Sequence, residues 1–201
     1  ETTNTNYQQK MGRIAMQSND AATHNDWVEV YKSLVYWELE LEHDDNNMSE
    51  MLRMQKQEAN NLFSKYIRRN YEEWFGGGSS PLLSPHLFRD RIFPLLDKQE
   101  KVFLIVFDNF RYDQWKVISH ELTNEFAFEE ELYYSILPTA TQYARNAIFS
   151  GLMPNKIAEM FPELWVDEDE EEGKNLNEAP LIQTQIDRYR RHDTFSYHKI
   201  N

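Results

Sequence analysis

Six residues do most to limit what this chain can fold into: Gly76-Gly77-Gly78-Ser79-Ser80-Pro81. Three glycines and two serines bury almost no apolar surface and lose much backbone entropy on ordering, so the run reads as a flexible linker between separate cores. The hydrophobic period changes across it. Residues 1–75 repeat at three- and four-residue spacing, whereas residues 85–201 alternate short apolar runs with amphipathic stretches. The expected organisation is an all-α helical bundle over 1–75, a linker over 76–84 and an α/β domain with a parallel sheet over 85–201.

In the first part, Tyr7–Met16 suits a short helix. Asp26 is the expected N-cap of a second, in which Trp27, Val30, Tyr31, Leu34, Trp37 and Leu41 form one apolar stripe. A polar turn, His43-Asp44-Asp45-Asn46-Asn47, precedes a longer stripe through Met48, Met51, Leu52, Ala59, Leu62, Phe63, Tyr66, Ile67 and Trp74. Such stripes are first of all bundle core, and what a small bundle leaves uncovered suits a homodimer contact.

In the second part, Pro85–Leu96 reads as a helix. Val102-Phe103-Leu104-Ile105-Val106-Phe107 is continuously apolar and ends at Asp108, the pattern of a strand covered on both faces. Trp115–Phe126 is a predicted helix, Leu132–Leu137 a second strand, and Ala144–Phe149 a helix closed by Gly151 and Pro154. Gln183–Arg191 reads as a further helix and Phe195–Ile200 as a strand. Asp167–Glu172 is a run of six acids, read as a solvated loop or a lid.

Composition narrows the function. Net charge is −13, from 34 acidic and 21 basic residues, which disfavours general nucleic-acid binding. There is no cysteine, so thiolate metal sites and disulfides are excluded, any metal is held by oxygen or imidazole, and a cytoplasmic location is expected. No apolar run approaches the roughly 20 residues of a membrane-spanning helix. The chain opens on Glu1 without a methionine and stops just after an aromatic stretch, as a piece of a longer protein would.

Two places carry candidate chemistry, each at the carboxyl end of a predicted strand, where α/β domains bind ligands. Asp108 is either a rigidly placed ligand for a hard cation or a turn former. Thr139 with Gln142 makes a capping box, and a hydroxyl at a helix N-terminus is also where a phosphate would bind. Arg145 suits a phosphoryl oxygen or an acidic neighbour. The spacing of haloacid-dehalogenase phosphatases fails, because Phe110 stands where their second Asp is needed, and the acidic pair of a receiver domain is absent.

Taken together, Val102–Trp115 and Leu137-Pro138-Thr139-Ala140-Thr141-Gln142-Tyr143-Ala144-Arg145-Asn146, continuing to Pro154, resemble the start of a PglZ domain, a branch of the alkaline phosphatase superfamily. With the helical segment and linker, the wording is similar to the PorX-type response regulators of type IX secretion. The resemblance implies a partial alkaline-phosphatase-like parallel sheet and a zinc-dependent phosphodiesterase acting on nucleotide or oligonucleotide phosphodiesters. It implies Asp108 as a ligand to one of two zinc ions. Thr141, ten residues before Gly151 and thirteen before Pro154, is implied as nucleophile and ligand to the same metal, with Arg145 and Asn146 toward the substrate. His192 and His198 lie too near the first strands to be the family's remaining ligands, so the fragment is expected to be inactive alone. A second reading is a non-catalytic module that relays receiver phosphorylation to a sigma factor or a secretion-system sensor.

Overall fold

The computed structural model describes residues 2–42, 47–167, 169–170 and 175–200. It divides the chain into two units, one formed by residues 1–81 and 109–132, the other by 82–108 and 133–201.

The first unit is built on three helices, α1 (Thr2–Asp20), α2 (His24–Glu40) and α3 (Asn47–Asn70). Met11 and Ile14 of α1 close over Trp27, Val30, Leu34, Trp37 and Leu41, and over Met48, Leu52 and Ala59. The two predicted stripes thus bury much of each other, and α1, longer than expected, covers more. Ring edges lock the contact: Trp27 meets Phe63 at 5.3 Å, and Tyr7 meets Trp37 at 5.3 Å. The N-cap of α2 is Thr23 rather than Asp26. Asp26 sits three residues on, where its carboxylate accepts from the Thr23 amide while the Thr23 hydroxyl accepts from its own, a reciprocal capping box. Most of the predicted turn, His43–Asn46, lies outside the described residues. A 3₁₀ turn, Glu72–Phe75, ends at Gly76. Helix α5 (Tyr112–Glu121) belongs to this unit and joins α2 through Tyr31 and Tyr112, whose rings lie 5.7 Å apart.

The second unit corrects the expected fold class: no β-sheet forms among the described residues. A single parallel bridge, Leu83 to Tyr134, is closed by the Tyr134 amide on the Leu82 carbonyl at 2.9 Å. Among the described residues, neither 102–107 nor 195–200 belongs to a strand. Continuous apolarity marks a strand only when neighbours cover both of its faces, and here Phe103 is 91% exposed and Ile105 70%. The core is helical instead. Helices α6 (Thr141–Ser150), α7 (Pro154–Met160) and α8 (Glu178–Arg188) gather Ile148, Phe149, Ile157, Leu181, Ile182 and Ile186 around Phe88 and Phe93.

The predicted helix over 85–96 is split into a 3₁₀ turn (Ser84–His86), a π turn (Phe88–Ile92) and α4 (Phe93–Asp97). Pro94 has no N–H for the Asp90 carbonyl, and the chain widens so that the Phe93 amide reaches back to Phe88. Pro154 opens α7 rather than merely following α6, its missing N–H being one that a helix start leaves unpaired anyway. Among the described residues no helix is long and apolar enough to cross a membrane.

Candidate active site

The site rests on the start of α6. Its N-cap is Ala140, whose carbonyl accepts from the amides of Tyr143 (3.0 Å) and Ala144 (2.9 Å), and no side chain caps it. The capping box expected from Thr139 is therefore absent. The helix begins one residue too late for it, and Gln142 gives its side-chain amide to the Val166 carbonyl at 2.7 Å. Thr141 becomes the first helical residue, with the positive end of the helix dipole at its hydroxyl.

Asp108 ends the extended run 102–107, and Asn109 turns the chain away at φ 54°, a left-handed conformation that Asn tolerates better than most residues. Asp108 and Thr141, 33 residues apart, are brought together: the Thr141 hydroxyl donates to the Asp108 carboxylate at 3.2 Å. One turn along α6, Arg145 places Nη1 3.7 Å from Asp108 Oδ2. At about 100° per residue Arg145 lies some 40° around the helix from Thr141, on the same face. Asn146 lies about 140° around it. It is buried, and its side-chain amide donates to the Gln142 carbonyl at 2.8 Å. Three of the four predicted residues thus converge, and Asn146 sits on a different face.

Two residues that sequence reasoning passed over complete the arrangement. Glu178, in the first turn of α8, is fully buried and holds Arg145 Nη2 at 2.8 Å. The Tyr197 hydroxyl donates to the same carboxylate, and burial together with this bond pushes the phenol up to about 12. Nothing in the sequence distinguishes one Glu among 34 acidic residues.

His192 and His198 are exposed. Of the acidic run, Asp167, Asp169 and Glu170 are described and exposed, and Glu168, Glu171 and Glu172 lie outside the described residues. Among the described residues no three His, Asp or Glu side chains gather as a metal site would need. Zinc takes four ligands. One carboxylate and one hydroxyl meet here, so these residues do not fit a zinc ion unaided.

Residues 87–201, more than half of the chain, match the model of the BREX system PglZ alkaline phosphatase-like domain. The chain belongs to the PglZ family. Residues 1–75 match the PorX response regulator linker domain, so a response-regulator linker precedes the PglZ segment. The alkaline phosphatase-like superfamily is typically metal-dependent. No curated protein matches the chain significantly.

Proposed function

We propose that the PglZ segment carries the nucleophile side of a zinc-dependent phosphodiesterase site. It serves a cytoplasmic response regulator of type IX secretion and acts on nucleotide or oligonucleotide phosphodiesters. The observation that carries this reading is the convergence of Thr141, Asp108 and Arg145 at an uncapped helix N-terminus. The chain's own residues bind and orient the substrate. Helix amides and the Arg145 guanidinium attract a phosphoryl oxygen, and the Asp108 carboxylate fixes the Thr141 hydroxyl that faces it. Zinc, when bound, would supply Lewis-acid charge stabilisation.

With two donors in place, the 201-residue chain is expected to keep no zinc through exhaustive dialysis and to leave bis(4-nitrophenyl) phosphate intact. About two zinc ions retained per chain, by elemental mass spectrometry, would overturn the two-donor account. In the complete response regulator, Thr141→Ala is expected to lower phosphodiester turnover by about three orders of magnitude, in line with loss of a nucleophile. A variant as active as the parent would remove Thr141 from the chemistry.

The match of residues 1–75 to a response-regulator linker favours a second role beside the first. In it the bundle dimerises and relays receiver phosphorylation to a sigma factor or a secretion-system sensor. Sedimentation equilibrium of the chain decides the dimer, and a strict monomer at high micromolar concentration counts against it.

A further inference from the structure

We infer that Glu178 is a positioning residue for oxyanion binding: it anchors one arm of Arg145, so that the other arm stays beside Asp108 and Thr141. The inference rests on the reading of Arg145 given above. Arg145 leaves α6 carrying a long side chain with several rotamers, and ordering such a chain costs entropy that an exposed partner does not offset. Glu178 is not exposed. Its side chain is 0% accessible, and its carboxylate sits in the first turn of α8, where the helix dipole favours negative charge. Arg145 Nη2 contacts both of its oxygens, at 2.8 and 3.0 Å. Tyr197 donates to Oε2.

The guanidinium is planar, so fixing Nη2 fixes where Nη1 points. Nη1 points toward Asp108, 3.7 Å away, beyond hydrogen-bond distance. An arm held close to a carboxylate without a hydrogen bond to it can turn to an incoming phosphoryl oxygen. Without Glu178 the next anion within reach is the Asp108 carboxylate, which is 46% exposed, and an exposed partner does not hold a long side chain in one place. The ligand class is a tetrahedral oxyanion, a phosphate or its diester.

Two measurements on the 201-residue chain test this. Nitrogen-15 relaxation of the arginine side chains reads the anchor directly. Arg145 should be immobilised in the parent chain and in Tyr197→Phe, and mobile in Glu178→Gln, an isostere that keeps the volume and removes the charge. An Arg145 equally rigid in Glu178→Gln overturns the inference. Titration with inorganic phosphate reads its consequence, with at least tenfold weaker binding expected for both Glu178→Gln and Arg145→Gln. If Arg145→Gln binds as the parent does, or the parent binds no phosphate, the reading of Arg145 fails and the inference falls with it. If Arg145→Gln loses binding while Glu178→Gln keeps it, the positioning role alone is wrong. Should Glu178→Gln unfold, Glu178→Asp takes its place, since a carboxylate one methylene shorter should free Arg145 in part.

Discussion

Gly151 ends α6 at φ 68°, and a Cβ built there would lie 2.2 Å from the Gln185 side-chain oxygen and 2.9 Å from Arg188 Nη2. Those two side chains of α8 occupy the space because they satisfy the end of α6. Gln185 donates to the carbonyls of Ile148 (3.2 Å) and Phe149 (2.9 Å), and Arg188 donates to that of Ser150 at 2.6 Å. Gly151→Ala therefore meets both backbone strain and a buried polar cap, and is expected to cost about 1–3 kcal/mol in urea denaturation. Gly12 is the internal control. It lies inside α1 with nothing within 4 Å of its missing Cβ, so Gly12→Ala should stabilise by about 0.5–1 kcal/mol. Equal effects of the two substitutions would refute the steric account.

The start of α2 makes a prediction about acid. Hydrogen bonds from the Ala22 and Thr23 amides hold the Asp26 carboxyl below its ordinary value of 3.8. A group whose value is lowered by folding stabilises the native state above its unfolded value, and that contribution disappears as pH falls through the folded one. The three-helix unit should accordingly lose stability below about pH 4, and Asp26→Asn should flatten that part of the profile when unfolding is followed by tryptophan fluorescence. Thr23→Ala, which removes the other half of the box, should cost about 1 kcal/mol at neutral pH. An acid limb of the same steepness in Asp26→Asn would assign it to other carboxylates.

At this scale the helices were legible and the sheet was not. The stripes of α2 and α3 declared themselves because burying one face of a helix leaves a period in the sequence. Gly151 was legible because few other residues accept its backbone angle. Val102–Phe107 was misread because apolarity reports what a segment would bury, not whether neighbours are present to cover it. The site was half legible. Asp108, Thr141 and Arg145 stand in a recognisable wording, whereas the Glu178 anchor depends on α6 and α8 running side by side in the same direction. Arg145 meets Glu178 toward one end and Ser150 meets Arg188 at the other.

For the molecule as a whole, two opposing features govern how copies meet. Net charge of −13 repels at long range, and salt screens it, with a Debye length of about 10 Å at 0.1 M. The extended run 102–107 attracts at short range. Phe103 and Ile105 are 91% and 70% exposed. An exposed, apolar, β-branched segment is a template for a second copy. Light scattering should therefore show association rising between about 20 mM and about 500 mM salt, as screening removes the repulsion. Replacing Phe103 and Ile105 together by Lys separates the two causes. It moves the net charge from −13 to −11, which by repulsion alone would make association worse, while placing charge on the template. Association should fall. The midpoint of thermal unfolding should stay within a few degrees, because neither side chain is buried. A double variant that associates as strongly as the parent would clear the run and point to some other surface.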